Sequence, residues 1–238
     1  MNNSDLAIPL WNLALAFIPA IAGLLICYRW SRNFKRAGYS LMRMLVQLLL
    51  IGYLLTFIFE TNSPFLVMGI LLLMLGASSW IAAGSLGGSI SRDGFRYVKY
   101  SLLSIAAGGS FTLALVTQGV LQLDPWYLPQ FIIPLAGMIF ANSMNTVSLA
   151  AERLHAEFDH DVAYPEARAI AFNAALIPNI NSMFAVGLVS LPGMMTGQIL
   201  SGVSPLIAVR YQIMVMCMIF GSSAISAACF LMLAKPRQ

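Results

Sequence analysis

The stretch SLMRMLVQLLLIGYLLTFIF, residues 40–59, decides the fold class, because it carries a single charged residue, Arg43. About 20 predominantly apolar residues in a helix are enough to cross the hydrocarbon core of a membrane. Similar runs recur along the chain, and we expect seven spans at residues 9–28, 40–59, 64–84, 100–121, 130–150, 183–202 and 206–234. The sequence therefore predicts an all-α polytopic membrane protein, with one transmembrane domain over residues 1–238.

The composition supports this class. Hydrophobic residues make up 59% of the 238-residue chain and charged residues only 9%, whereas soluble domains carry about 25% charged residues. The net charge of +4 does not indicate a nucleic-acid partner, because the basic residues cluster at the ends of apolar runs. There they are better interpreted as signals of membrane topology.

Basic residues fall in alternate connections between the predicted spans. Lysine and arginine occupy residues 29–36, residues 92–99 and the C-terminal tail, whereas residues 123–129 and 201–205 contain neither. Since cytoplasmic loops carry the excess of Lys and Arg, we predict that the N-terminus lies outside and the C-terminus in the cytoplasm.

One predicted loop is long, residues 151–182, and this cytoplasmic segment holds five of the nine acidic residues. Pro165 stands at a plausible first helical position, with Glu166 in the first turn, where acidic side chains are favourable. An apolar face then recurs at helical spacing, formed by Ala167, Ile170, Ala171 and Ala174. We predict a short helix whose apolar face lies on the membrane or docks a partner.

The sixth predicted span contains GLVSLPGMMTG, residues 187–197. A proline removes a backbone donor and disfavours the preceding helical turn, and freed backbone groups cannot face lipid. We therefore expect a broken helix sheltered in the bundle, at a dimer seam or on a translocation path. Freed carbonyls beside the thioethers of Met194 and Met195 would form a site for a metal ion. The alternative is a structural kink with methionine as packing material.

Polar residues inside the other spans are costly there and tend to face the bundle interior. Arg43 and Gln47 share one face of the second span; Arg43 either snorkels or faces inward, and we expect Gln47 to be buried. Asn142 and Asn145 either hydrogen-bond a neighbouring helix or line a substrate path. The residues assigned to that path are Arg43, Gln47, Met138, Asn142, Asn145, Pro192, Gly193, Met194, Met195 and Gln212.

The sequence contains no recognisable catalytic set and no Gly-Lys pair of a phosphate-binding loop. ATP-driven work would therefore need another subunit. His155 and His160 share their segment with Glu157, Asp159 and Asp161, a cluster that either binds a divalent cation or is a solvated loop.

Several stretches resemble the membrane subunit of the Fet-type iron-export ABC transporters, the FetB permease family, to which plant aluminium-tolerance permeases are related. The most specific is GLVSLPGMMTG followed by YQIMVM, and the others are RMLVQLLLIGYLLTFIF (43–59), IIPLAGMIFANSM (132–144) and AALIP (174–178). The resemblance covers roughly residues 40–235.

This resemblance implies a permease of the bacterial cytoplasmic membrane that exports iron. It also implies a homodimer paired with a cytoplasmic ATP-binding subunit, which would bind ATP and magnesium, while this chain binds no cofactor and is not itself an enzyme. The segment before AALIP is similar to the family's coupling segment, and we assign ATPase coupling to Glu157, Ala163, Pro165, Glu166, Ala167 and Ile170.

The chain departs from the family pattern at Val162 and Tyr164, which replace a glycine and a threonine, and at Asn181 and Phe184, where relatives carry Asp and Lys. The sequence leaves two other functions open. A passive channel or membrane scaffold would need no ATPase. An intramembrane enzyme would need ionisable groups within the spans, and no His, Asp or Glu lies deep in one.

Overall fold

The structure, a computed structural model, describes residues 9–30, 34–60, 63–84 and 92–235. Arg32 and Arg237, which contribute to the predicted orientation, lie outside these ranges, as do the side chains of Glu60 and Arg92. The described residues form nine α-helices and one π-helical segment. The helices are α1 Leu10–Leu15, α2 Phe17–Trp30, α3 Phe34–Glu60, α4 Pro64–Gly84, α5 Arg92–Ala114, α6 Pro129–Asp159, α7 Tyr164–Ala185, α8 Gly193–Leu200 and α9 Pro205–Leu233, with the π segment Leu115–Val120 following α5.

The chain divides into two compact units, Met1–Thr61 and Asn62–Gln238. In the first unit α2 packs against α3. The rings of Tyr28 and Phe34 meet edge to face beside the connection, with centroids 5.1 Å apart. This unit is a helical hairpin in which α1 and α2 together are long and apolar enough to span a membrane.

The core of the second unit lies between α5, α6 and α9, which pack against one another. Ile105, Ile139 and Phe230, one from each helix, are fully buried. Gly108 brings α5 close to α9, because a Cβ there would collide with Ser226 Oγ and lie 2.9 Å from the backbone oxygen of Ser222. Small residues thus let the backbones approach, as is usual between membrane helices. Helix α4 packs on α5 and α6, and α7 packs on α6 and α9.

The all-α membrane architecture is confirmed, whereas the count of seven spans is not. Six helices in the described residues are long and apolar enough to cross a membrane. The predicted span 183–202 is not one helix: it contains the end of α7, a non-helical stretch and the eight residues of α8. Length and composition do not reveal the direction in which a helix crosses, so the N-out, C-in orientation stays a prediction.

The segment 151–182 is not a long loop, and this expectation was wrong. Residues 151–159 continue α6, residues 164–182 belong to α7, and only residues 160–163 lie outside helices. The continuation of α6 is amphipathic: Ala151 and Leu154 are buried whereas Glu152 and His155 are exposed. The charged residues of this segment predicted a loop, whereas α6 continues through them as a helix that packs on α7. The predicted helix start at Pro165 is confirmed, since α7 begins one residue earlier, whereas the helix is not short, because it runs for 22 residues.

Candidate coupling corner and broken helix

The turn between α6 and α7, residues 160–163, is tight. The amide of Val162 donates to the Glu157 carbonyl at 3.1 Å, and Asp161 adopts a left-handed conformation with φ 57°, which aspartate tolerates better than most residues. Ala163 is the N-cap of α7, and Glu166 stands in the first turn, where a carboxylate is favoured by the helix dipole. We name residues 157–171 the coupling corner.

The alanine face of α7 is used inside the chain. Ala167 and Ala171 are 0% exposed, and α7 packs against α6 and α9. We expected Ala167 to belong to an exposed docking face. This expectation was wrong for Ala167, because its methyl group is already covered by the chain's own helices. Among the other residues assigned to coupling, Ala163, Pro165 and Glu166 are exposed and Ile170 is half-buried.

Three further contacts stabilise the coupling corner. The buried Glu157 forms an ion pair with Arg153, one turn earlier on α6, with 2.6 Å between Glu157 Oε1 and Arg153 Nη2. The hydroxyl of Tyr164 donates to the Leu231 carbonyl at 2.7 Å, which ties the start of α7 to the end of α9. The Lys235 ammonium lies 5.9 Å from the centre of the Tyr164 ring. Sequence reasoning noted Tyr164 only as a departure from a family pattern and missed this anchoring role.

The α7–α8 break comprises residues 186–192. Val186 leaves the helical conformation, and Gly187 takes φ +83°, which L side chains rarely adopt. The amides of Leu188, Val189 and Ser190 all donate to the Ala185 carbonyl, at 3.3, 2.8 and 3.1 Å. The helix thus ends well before Pro192.

Pro192 is the N-cap of α8, with φ −61° and ψ 146°. The expectation that the proline breaks the span was therefore wrong in its cause. The break is real, but a turn centred on Gly187 ends α7, and the proline precedes the next helix, where its missing N–H costs nothing.

The break is strongly exposed. Leu188 is 92% and Val189 84% exposed, Gly193 is exposed, and Pro192, Met194 and Met195 are half-buried. Helix α8 packs on α9. We expected shelter inside the bundle, and the described residues do not provide it for Leu188 or Val189. At membrane depth such backbone needs protein or water as a cover.

The polar residues assigned to the path fall in both units. Arg43 and Gln47 lie on α3 in the first unit, where both are exposed. A path shared with residues of the second unit, and the burial of Gln47 that it would require, stay predictions. Asn142 Nδ2 donates to the Met138 carbonyl at 2.8 Å, within its own helix rather than across to another. Asn145 is exposed, whereas Gln212 is 6% exposed.

Sequence reasoning missed several buried polar groups. Asn179 Nδ2 on α7 donates to Thr146 Oγ1 on α6 at 3.2 Å. In the described part of the chain, four buried hydroxyls have no hydrogen-bond partner, those of Ser104, Ser143, Ser223 and Ser226. The spacing of Ser104 and Gly108, or of Ser222 and Ser226, was the available signal, since residues four apart share a helix face.

The described residues contain no group of three His, Cys, Asp or Glu side chains that could hold a metal ion. His155 and His160 are exposed. The only metal ligands that the sequence suggested besides this cluster, Met194 and Met195, stand side by side at the start of α8.

Comparison with known proteins matches almost the whole chain. The profile of the uncharacterised protein family UPF0014 matches residues 10–168 and 159–237. A UPF0014 membrane protein of Synechocystis is 35% identical over 77% of this chain and 75% of its own length. No solved structure matches the chain significantly.

Two relatives have more informative names. The probable iron export permease protein FetB of Escherichia coli is 30% identical over 94% of this chain and 90% of its own length. The protein ALUMINUM SENSITIVE 3 of Arabidopsis thaliana is 32% identical over 90% of this chain and 81% of its own length. With its membrane-spanning helices and its family match over nearly every residue, this chain belongs to the UPF0014 family of membrane proteins.

Proposed function

We propose that the chain is the membrane-spanning permease subunit of an ATP-driven exporter that carries iron or another metal ion out of the bacterial cytoplasm. The observation that carries this proposal is the similarity, over 94% of the chain, to a relative named as a probable iron export permease. Two copies of the chain would pair with ATP-binding subunits, which would bind ATP and magnesium. Hydrolysis then belongs to the partner, and this chain supplies the path.

The coupling corner supports a cytoplasmic partner. Pro165, Glu166 and Arg168 are exposed on the first turns of α7, while Ala167 between them is fully buried. A force applied to this exposed surface is transmitted to α6 and α9, because α7 packs on both and Tyr164 hydrogen-bonds the end of α9. We therefore assign the partner's contact to the exposed residues alone.

The α7–α8 break supports the ion path. Thr196 is the first residue of α8 whose amide reaches back to the break, donating to the Pro192 carbonyl at 3.0 Å. Met194 and Met195 are half-buried beside it. The Pro192 carbonyl also accepts from the Thr196 hydroxyl at 3.2 Å, so the ligands that this place offers are the two sulfur atoms. Thioethers are soft ligands that would suit a partly dehydrated metal ion in transit.

The partner assignment is tested by affinity purification from native membranes. We expect an ATPase to accompany the chain, and Glu166→Lys to weaken its recovery. Glu152→Lys is the matched control, since Glu152 is an exposed acid on the neighbouring helix. Purification of the intact chain without any ATPase, together with ion flux that needs no ATP, would instead establish a passive channel.

The path assignment is tested by metal-stimulated ATP hydrolysis of the complex in liposomes. Met194→Leu and Met195→Leu conserve volume and remove sulfur, which costs less than about 1.5 kcal/mol in packing. Stimulation by iron should fall in both, and should persist in the control Met232→Leu, whose side chain is 59% exposed at the far end of α9. Unchanged stimulation in both variants would remove the methionines from the path.

The orientation is tested by labelling single cysteines with an impermeant reagent. A cysteine at Asp124 should react from outside, and one at exposed Asp161 in the coupling corner should not. The reverse pattern would place the coupling corner on the wrong side for a cytoplasmic ATPase.

A further inference from the structure

A cavity of about 400 Å³ lies between α4, α5, the π segment and α6. Most of its lining is apolar, including Leu71, Leu75, Leu113, Ala114, Ile132 and Phe140. Its polar lining residues include Thr117 and Gln118, and Trp126 also borders it. Because the candidate span of α5 and the π segment ends at Val120 and the next begins at Pro129, Trp126 marks the end of the cavity at the membrane face.

The π segment shapes this cavity. The amide of Leu121 donates to the Val116 carbonyl at 2.9 Å, five residues back, so the helix is wider here than an α-helix and its last turn is displaced. The Thr117 hydroxyl donates a hydrogen bond to the Leu113 carbonyl at 2.8 Å. The Gln118 side chain borders the cavity and is exposed, so its amide is available to a bound molecule.

The Phe140 ring forms the wall of the cavity on the side of α6. A Cβ at Gly109 would lie 2.8 Å from Phe140 Cε1, so the absence of a side chain there lets the Phe140 ring lie against α5. A ring held in this way keeps an apolar surface in place at hydrocarbon depth.

The loop above the cavity, residues 121–128, has a distinct charge. It contains Asp124 and no lysine or arginine. The rings of Trp126 and Tyr127 meet edge to face with centroids 5.7 Å apart, and Asp124 and Trp126 are exposed. Asp124 and the two rings fall within four consecutive residues, 124–127. A carboxylate attracts an ammonium group through charge and disfavours an anionic headgroup, and aromatic rings attract the ammonium through cation–π attraction.

From this arrangement we infer a binding site for a phospholipid with an ethanolamine headgroup. One acyl chain occupies the cavity, and the ammonium lies at Asp124 and the two rings. The amide of Gln118 donates to a phosphate or ester oxygen. A primary ammonium fits better than choline because it donates hydrogen bonds to the carboxylate. Acyl chains are the apolar species that surrounds a membrane-spanning bundle, so the site is filled from the bilayer itself. This inference does not depend on the proposed transport function.

The headgroup is tested with the purified full-length chain in detergent by native mass spectrometry and thermal unfolding. Phosphatidylethanolamine, phosphatidylcholine and phosphatidylglycerol are compared with identical acyl chains. We expect affinity to fall in that order, and Asp124→Asn to reduce the preference for ethanolamine over glycerol about three- to fivefold, the size of an exposed charge or cation–π contact. Asp161→Asn, an exposed acid at the opposite end of α6, is the control and should leave the preference unchanged.

The cavity is tested by filling it. Ala114→Phe and Ser110→Leu add apolar volume to two exposed lining positions and should reduce binding of all three lipids about tenfold, whereas Ala141→Phe, an exposed alanine outside the lining, should not. If one filling variant unfolds without lipid, the other decides the result. Equal affinity for the three lipids, or an unchanged preference in Asp124→Asn, would overturn the headgroup assignment. Full binding in a folded filling variant would overturn the cavity assignment.

Discussion

The coupling corner and the α7–α8 break both interrupt helices, at the two ends of α7, but their residues differ in burial. At the corner, four residues connect α6 to α7, and Ala167 and Ala171 are fully buried against neighbouring helices. At the break, Leu188 and Val189 are more than 80% exposed. The corner is stabilised by packing within the chain, whereas the break is stabilised by local turns and by the protein or water that covers it.

This difference assigns different consequences to mutation. A substitution at a buried residue of the corner changes the fold before it changes any partner. Except at Gly187, whose positive φ sets the turn, a substitution at an exposed residue of the break leaves the fold largely intact and reports on function. The following predictions test that contrast, from the largest expected effect to the smallest.

Ala167→Glu should unfold the second unit or prevent its assembly. It places a charge at a position that is 0% exposed, and an unpaired buried charge costs on the order of 3–5 kcal/mol. Thermal unfolding in detergent and recovery by size-exclusion chromatography measure the effect. Ala169→Glu, at an exposed position two residues away, is the control. A folded Ala167→Glu variant with normal stability would show that α7 is not packed as described.

Gly187→Ala should destabilise the break by about 1–2 kcal/mol, the cost of a side chain in the left-handed region. No atom lies within 4 Å of the Cβ that it would add, so φ +83° alone is responsible. Gly193→Ala has equally open space in helix α8 and should be neutral or slightly stabilising. Equal melting temperatures for the two variants would contradict the turn at Gly187.

Tyr164→Phe should cost about 0.5–1.5 kcal/mol, the net worth of one hydrogen bond, because it removes the donor to the Leu231 carbonyl. The ring and its neighbours remain. Tyr53→Phe, on a side chain that is 83% exposed in the first unit, is the matched control. If thermal unfolding did not distinguish the two variants, α7 would not be anchored to α9 through this hydroxyl.

Pro192→Ala should change stability by less than about 0.5 kcal/mol, the usual range for substitutions away from packed features. The helix does not rejoin, because α7 already ends at Ala185. Transport measured in liposomes with the partner subunit then isolates the contribution of the break to function. A large gain in thermal stability would mean that the proline, and not the turn at Gly187, interrupts the helix.

Much of this architecture was predictable from local sequence. The start of α7 at Tyr164 follows from the proline and glutamate that favour a first turn. The break was predicted in the right segment but attributed to the wrong residue, because a proline in an apolar run is conspicuous whereas the φ of Gly187 depends on the turn around it.

The candidate site was less predictable. The alanines of α7 were recognised as an apolar face, and their spacing does not reveal whether that face meets a partner, the membrane or α6 and α9. Similarly, Asn142 has an amide that suits another helix, yet it hydrogen-bonds the Met138 carbonyl one turn back.

The order of residues alone is enough to show an all-α membrane protein, because long apolar runs leave the backbone no partner in lipid except its own helix. Its stretches of family resemblance likewise lie in the linear order of residues. Tertiary packing alone determines which small residues are buried, and it encloses the cavity between α4, the π segment and Phe140. These features depend on contacts between residues far apart in the chain, such as Gly109 with Phe140 and Tyr164 with Leu231, and helical periodicity alone carries no information about which faces meet.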